Sequence, residues 1–423
     1  MTVIYPFKGL RYNIEKIDSP ENVIAPPYDV IGPKEQENLY KISPYNIIRL
    51  EYGKESDEDT EEDNRYTRAA ANLKEWMEDG VLVQEDKPVI YLYEQRYPWE
   101  GQTYVRDSLI ATVKAEPYEN KSVIPHEETL SKPKEDRLQL LRHCRTNFSP
   151  IFGLYPDRDK RVENKCAPVK ENEPVMDFED YNGQKHRLWI IEDPALQKEI
   201  QAEFESFTVF IADGHHRYET ALEFSKEMAA KGKEGYDRVL AVLVNLYSPG
   251  LLILPTHRVV YDLHEVNKEE VISNLKEEFD VEEWGSPENL DLNDFTEKLE
   301  HNGKDRFAFG MVSKDKTYLF RTKDSYISSE EKLDVTWLQE KVLEKELKIT
   351  SEDIKSGENL SYTRDAKEAI NMVQKGEAEL SFILNSPGLD QTVKLAQTNE
   401  RLPQKSTYFF PKLISGLVLN RLD

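Results

Sequence analysis

Cysteine is nearly missing from this chain of 423 residues: Cys144 and Cys166 are the only two. They lack the spacing of a metal site and read as plain thiols rather than a disulfide, which points to a reducing compartment. Long apolar runs are missing too. None approaches the ~20 residues needed to span a bilayer, and the mean hydropathy is -0.69. The opening Met1-Thr2-Val3-Ile4-Tyr5-Pro6 has neither a charged n-region nor an apolar core, so no secretory signal is expected. Positive charge is scarce: 56 Lys and Arg against 80 Asp and Glu leave a net charge of -24. Such a balance repels a polyanion and disfavours a general nucleic-acid binder, while leaving room for a local basic pocket. Internal repeats, low-complexity tracts, a Walker-type glycine loop and the protein-kinase motif set are all absent. The expectation is a cytoplasmic protein that contacts neither nucleic acid nor membrane.

What is present is an alternation of strand-like and helix-like segments, which predicts a mixed α/β (α+β) fold. The length suits two or three domains at ~100–200 residues each. Residues 1–102 read as an N-terminal α/β region. It holds the proline-stiffened loop Ile24–Ile31, an expected strand at Ile47–Leu50, and an amphipathic helix around Tyr66–Met77 that Gly80 ends. Residues 103–262 form the middle region, with strands near Thr103–Val113, Ser149–Tyr155, Phe207–Ile211 and Val239–Val244. The polar stretch 157–187 reads as a hairpin or excursion. Residues 263–423 form a third α/β region, with helices near Val266–Phe279 and Val335–Glu346 and strands near Phe307–Val312, Thr317–Arg321 and Leu380–Leu384.

The densest chemistry lies at Asp213-Gly214-His215-His216-Arg217. A carboxylate, a glycine, two imidazoles and a guanidinium follow an apolar β-branched run. Then Tyr218, Ala221, Leu222 and Met228 continue at helical spacing to a stop at Gly232. The cluster therefore falls on a strand-to-helix turn, where free backbone N–H groups and the helix dipole favour an anion. Arg217 adds a fork matched to phosphate oxygens, and Asp213 could hold a hydroxyl or a metal ion. The plain alternative is a glycine turn whose histidines cap or pack. A metal site formed by the His pair is disfavoured, because adjacent residues do not face each other on a helix or strand.

Three further segments are candidates. Glu127, beside His126 in a proline-bounded loop, could accept a proton from a substrate hydroxyl, or could simply be one solvated acid among many. Lys405-Ser406-Thr407 offers a cation and two hydroxyls ahead of Tyr408-Phe409-Phe410, or is a turn before a buried strand. Thr256-His257-Arg258 is either a polar rim or a strand-end cap.

The Asp213-Gly214-His215-His216-Arg217 element resembles the signature of the ParB/sulfiredoxin-like superfamily in its free serine kinase branch. Pro125-His126-Glu127 upstream matches that branch's Pro-His-Glu element. Pro403-Gln404-Lys405-Ser406-Thr407 resembles its Pro-Lys-Thr-Thr-like element, with Gln404 inserted, Ser406 in place of a threonine and Tyr408 where an arginine is seen. The three occur in the same order. The whole chain also resembles a large prokaryotic family catalogued as of unknown function. It shares Ala25-Pro26-Pro27-Tyr28-Asp29, the central His-His-Arg element, Leu254-Pro255-Thr256-His257-Arg258 and the Lys405–Lys412 segment.

The resemblance implies a ParB/sulfiredoxin-like nucleotide-binding core, flanked by additional N-terminal and C-terminal α/β regions. It implies phosphorylation of free L-serine to O-phospho-L-serine with ATP or ADP as donor. Glu127 inherits the role of general base, with Asp213 and His216 beside it in the catalytic set. His126, Gly214, His215, His216 and Arg217 would hold the nucleotide phosphates. Lys405, Ser406, Thr407 and Asp213 would contact the serine. Mg²⁺ would bridge phosphate oxygens. Two other readings stand beside this one. A nucleotide-binding regulator is possible within the superfamily, although the acidic charge speaks against its DNA-contacting form. A sulfiredoxin-like repair enzyme needs a cysteine beside the His-Arg pair, and neither cysteine occupies that place.

Overall fold

A computed structural model of the chain describes residues 1–125, 131–263, 267–324, 334–350, 353–354, 359–388 and 405–423. His126, Glu127, Pro403 and Gln404 lie outside them. The described chain adopts the expected mixed α/β architecture and divides into two compact units. The first takes in residues 1–125, the described residues up to Leu252, and Pro411–Asp423; the second takes in the described part of Ile253–Phe410.

The first unit is organised by a nine-stranded sheet. Its order runs Val123–Pro125, Val209–Asp213, Ile151–Tyr155, Arg238–Asn245, Gln102–Lys114, Ile90–Trp99, Lys185–Ile191, Met176–Glu179, with Ile4–Tyr5 pairing the far end of Gln102–Lys114. Val209–Asp213 runs parallel to Val123–Pro125, and Arg238–Asn245 runs parallel to Ile151–Tyr155. Leu109, Ala111 and Val113 alternate onto one face, as a two-residue period requires. There they meet Ile200 and Phe204 of the helix Pro194–Phe204, and Tyr218 and Ala221 of the helix His215–Ala230. Removing each such large side chain from water contributes ~1.5–3 kcal/mol. The last residues close a second, four-stranded sheet in the order Leu82–Gln84, Gly9–Tyr12, Leu419–Arg421, Thr146–Asn147.

This arrangement differs from the sequence-based division at 102/103. That boundary falls at the tip of a hairpin whose strands pair from Tyr91↔Ile110 to Trp99↔Gln102. Residues 1–102 thus share their central sheet with the middle of the chain, and Pro411–Asp423 return to the same unit through the four-stranded sheet.

The second unit is built on a six-stranded antiparallel sheet. Its order is Phe279–Gly285, Thr317–Thr322, Ala308–Val312, Leu380–Leu384, His257–Val260, Leu360–Thr363. Phe309 and Met311 face one side with Val271 and Leu275 of the helix Lys268–Glu278. Ala308 and Val312 face the other, with Phe295 and Leu299 of Leu292–Gly303 and Ile370 and Val373 of Ala366–Gln374.

Local expectations hold where the signal is strong. The helix near Tyr66–Met77 is Arg65–Glu78, and Asn64 and Thr67 close a reciprocal capping box at its start. The stretch 157–187 contains the hairpin of Met176–Glu179 and Lys185–Ile191, preceded by the helix Arg161–Cys166. Ile47–Leu50 is a correction: the segment is a short helix, Ile48–Glu51. The Asn46 side chain accepts from the Ile48 N–H at 3.0 Å and donates to the carbonyls of Asn22 and Ile24, so it starts a turn that apolar content alone cannot reveal. Among the described residues no helix is long and apolar enough to cross a membrane.

Candidate functional site

The five clustered residues fall where the sequence placed them, at the junction of the strand Val209–Asp213 and the helix His215–Ala230. The pairing with Ile151–Tyr155 changes register between Ile211 and Asp213, which re-aims the strand end. Gly214 then sits at φ 88°, ψ 28°, and offers no side chain to cap the helix. A Cβ built on it would lie 2.9 Å from Arg217 Nε and 3.0 Å from Cζ, so the bare glycine lets the guanidinium lie against the turn. His215 and Tyr218 are buried and anchor the helix, whereas His216 and Asp213 are half-buried. The Tyr218 hydroxyl donates to the Glu116 carbonyl at 2.8 Å.

Arg217 donates through Nη2 to Asp213 Oδ2 at 3.0 Å and through Nη1 to the Pro150 carbonyl, and its buried Nε has no hydrogen-bond partner. Burial works to lower its pKa, but Asp213, with Tyr28, Asp29 and Glu51 nearby, raises it above the ordinary guanidinium value. The cation is therefore permanent. The other carboxylate oxygen, Asp213 Oδ1, faces Lys412 Nζ at 3.5 Å. One carboxylate thus stands between two cations at a helix N-terminus whose dipole is also positive. Beside Arg217 a narrow cleft of about 40 Å³ is lined by Arg137, Glu51, Asn147, Ser149 and Thr220. The Arg137 guanidinium lies 4.0 Å over the Tyr28 ring and donates to the Glu51 carbonyl at 2.9 Å.

Sequence reasoning missed Lys412, Arg137, Tyr28 and Glu51 as neighbours of this turn. Tyr28 and Lys412 lie in elements singled out by the family resemblance, so a signal existed for them. For Arg137 and Glu51 none was visible. Lys405, Ser406 and Thr407 belong to the second unit. There Lys405 is exposed, Ser406 and Thr407 are buried, and Tyr408–Phe410 forms a strand paired with Leu252–Leu254. The thiols of Cys144 and Cys166 are buried and unbridged, and burial pushes both up to about 12, so neither is a ready thiolate.

His257 and Arg258 are interior residues of the second unit rather than a rim. His257 Nδ1 accepts the Leu384 N–H at 3.1 Å, and Arg258 donates to the Thr256 carbonyl. Burial, with help from Arg258, pushes His257 down to about 4. The unfolded value is ~6.5, so its stabilising contribution is complete above that pH and is lost as pH falls towards 4. Asp334 works oppositely. Burial pushes it up to about 7, against hydrogen bonds from Asn385 and Ala308. Its contribution is present below the unfolded value of ~3.9 and is lost as pH rises through 7. Between pH ~4 and ~6.5 the two slopes oppose each other. Relative to wild type, Asp334→Asn should gain stability and His257→Gln should lose it as pH rises across that window, by roughly 3 kcal/mol each. Denaturant titrations at both pH values measure this, and parallel curves for wild type and both variants would contradict it.

The chain matches no curated protein. Among solved structures it is similar to a conserved hypothetical protein from Pyrococcus furiosus, at 16% identity and a TM-score of 0.37, covering 74% of this chain and 95% of that one. A free serine kinase in complex with AMP is similar at 16% identity and a TM-score of 0.38, covering 73% of this chain and 92% of that one. C-terminally truncated SbnI from Staphylococcus aureus is similar at 11% identity and a TM-score of 0.36, covering 72% and 85%. No residue role follows from likeness at this level. A family model does match, over residues 4–336, most of the chain. The chain belongs to that family, the proteins of unknown function DUF1015.

Proposed function

We propose that this protein is a small-molecule kinase that transfers a phosphoryl group from ATP or ADP to the hydroxyl of free L-serine, giving O-phospho-L-serine. The observation that carries the reading is Asp213 held between Arg217 and Lys412 at a helix start that Gly214 leaves uncapped. Such a turn suits a polyphosphate, because backbone N–H groups, a fixed guanidinium and an ammonium converge on one place. The three motifs in family order add the acceptor. Glu127 serves as general base, with Asp213 and His216 completing the reacting set. His126, Gly214, His215, His216 and Arg217 hold the phosphates. Lys405, Ser406 and Thr407, with Asp213, grip the amino acid.

Phosphoryl transfer demands positioning and charge neutralisation more than covalent help. Mg²⁺ enters as a companion of the nucleotide and would neutralise charge on its phosphate oxygens. It takes one or two carboxylates plus phosphates and needs no protein cage. None of the described residues form a group of three or more His, Cys, Asp or Glu able to hold a metal.

The test is incubation of the protein with L-serine, Mg²⁺ and either ATP or ADP, with mass spectrometry for O-phosphoserine. Product with one nucleotide supports the reading and names the donor. Nucleotide binding without product, for serine or other hydroxyl acceptors, would favour the nucleotide-sensing regulator instead. Arg217→Ala should weaken nucleotide binding by roughly 1.5–3 kcal/mol, the worth of a charge-assisted hydrogen bond. Unchanged affinity in a calorimetric titration would remove Arg217 from the phosphate site.

A further inference from the structure

We infer that Tyr28, in the Ala25–Asp29 element, is a further phosphate-binding residue: its hydroxyl donates to a phosphate oxygen that Arg217 also holds. This deepens the functional reading above, rests on it, and gives a task to an element that the reading leaves unused.

The loop is built to fix that side chain. The Asn22 and Ile24 carbonyls each accept from the Asn46 side chain at 2.8 Å, and the Val23 carbonyl accepts from the Ile47 N–H at 2.8 Å. Ala25 and Ser415 exchange two backbone hydrogen bonds, at 2.8 and 3.2 Å. Four successive residues are thus tied down. Pro26 and Pro27 then set the backbone direction, and a single 3-10 turn, Tyr28–Val30, follows. The Tyr28 ring lies 4.0 Å from the Arg137 guanidinium and 6.3 Å from the Tyr52 ring. Arg137 is itself buried. Its Nε donates to Asp136 Oδ2 at 2.7 Å and its Nη1 to the Glu51 carbonyl at 2.9 Å, so its plane is fixed. It lines the narrow cleft together with Arg217. Tyr28 therefore stands one guanidinium away from that cleft, near enough to Arg217 for the two to shift each other's ionisation.

The hydroxyl is the atom that packing does not explain. Tyr28 is half-buried, yet its oxygen makes no hydrogen bond among the described residues. Other tyrosines of this unit use theirs: Tyr12 donates to the Tyr45 carbonyl, Tyr97 to that of Gly250 and Tyr218 to that of Glu116. Phenylalanine would stack on Arg137 as well, without leaving a hydroxyl half-desolvated. Burial raises the Tyr28 hydroxyl above its ordinary value, against the two guanidiniums of Arg137 and Arg217. It is therefore a neutral O–H at physiological pH, a donor that adds no negative charge. A hydroxyl beside a permanent guanidinium suits a phosphate, with charge from the one and a directed hydrogen bond from the other.

The experiment is calorimetric titration of the full-length protein with MgADP and with inorganic pyrophosphate. Tyr28→Phe should weaken both about tenfold. It should leave the urea midpoint of the ligand-free protein unchanged or higher, because it removes no internal hydrogen bond. In the Arg217→Ala background the same change should cost less than about threefold, since the shared oxygen has lost its main holder. Unchanged affinity in Tyr28→Phe, or affinity lost only together with stability, overturns the inference and leaves the phosphate reading standing. An equal cost in both backgrounds does the same. Wild-type protein that binds neither ligand overturns the phosphate reading itself, and the inference with it.

Discussion

Glu127→Gln should abolish formation of O-phosphoserine while leaving nucleotide affinity intact. Glutamine keeps the size of the side chain and its ability to hydrogen-bond, but it cannot take the proton of the serine hydroxyl. General-base assistance is worth about 10²–10⁴ in rate, so the loss should be seen in turnover under saturating serine. The binding term should not move if, as proposed, the Asp213–Arg217 turn rather than this carboxylate holds the phosphates. Measuring kcat for phosphoserine formation beside the Kd for MgADP separates the two. Full activity in the variant would leave Glu127 as one more solvated acid and would return the search for a base to Asp213 and His216.

The second large effect concerns Gly214. Its φ of 88° lies in the left-handed region, where a side chain is strained. A Cβ there would also sit 2.9 Å from Arg217 Nε and 3.1 Å from Nη2. Gly214→Ala should therefore do two things. It should lower stability by roughly 1–3 kcal/mol through backbone strain. It should also push the guanidinium off Asp213 and lower nucleotide affinity at least about tenfold, the loss of one charge-assisted contact. Asparagine tolerates left-handed backbone but brings the same Cβ, so Gly214→Asn should recover part of the stability and none of the binding. Gly232, just beyond the other end of this helix, is the control. It has φ 70°, and a Cβ added there would meet nothing within 4 Å, so Gly232→Ala should show the strain without any change in affinity. Equal nucleotide binding by Gly214→Ala and Gly232→Ala would mean that contact with Arg217 is irrelevant to the site.

Much of the candidate site was legible in the chain, and the reason is local. Val209–Ile211 is apolar and β-branched, Gly214 breaks the strand, and Tyr218, Ala221 and Met228 recur at helical spacing. All of the forces that place Asp213, His215, His216 and Arg217 on one turn act within about twenty residues. The same holds for Arg65–Glu78, whose start is written in Asn64 and Thr67. His257 shows the limit of such reading. A histidine beside an arginine after an apolar strand looks like a rim, and only its depth in the second unit makes it a neutral acceptor for the Leu384 N–H.

The amino-acid sequence by itself determined the mixed α/β class, the strand–turn–helix at Asp213–Arg217, membership of the family of unknown function and the scarcity of cysteine. Periodicity, turn chemistry and composition are properties of neighbouring residues, and the folded chain had little freedom to alter them. Tertiary structure alone decided the rest. It made Ile48–Glu51 a helix, because Asn46 finds distant carbonyls at Asn22 and Ile24. It put residues 1–102 into a sheet with the middle of the chain. It also set Lys412 against Asp213 and Arg106 against Pro411. These pairs are separated by hundreds of positions, and no local pattern specifies which lysine will meet which carboxylate. Only the packing of one sheet, with the end of the chain folded back onto it, does so.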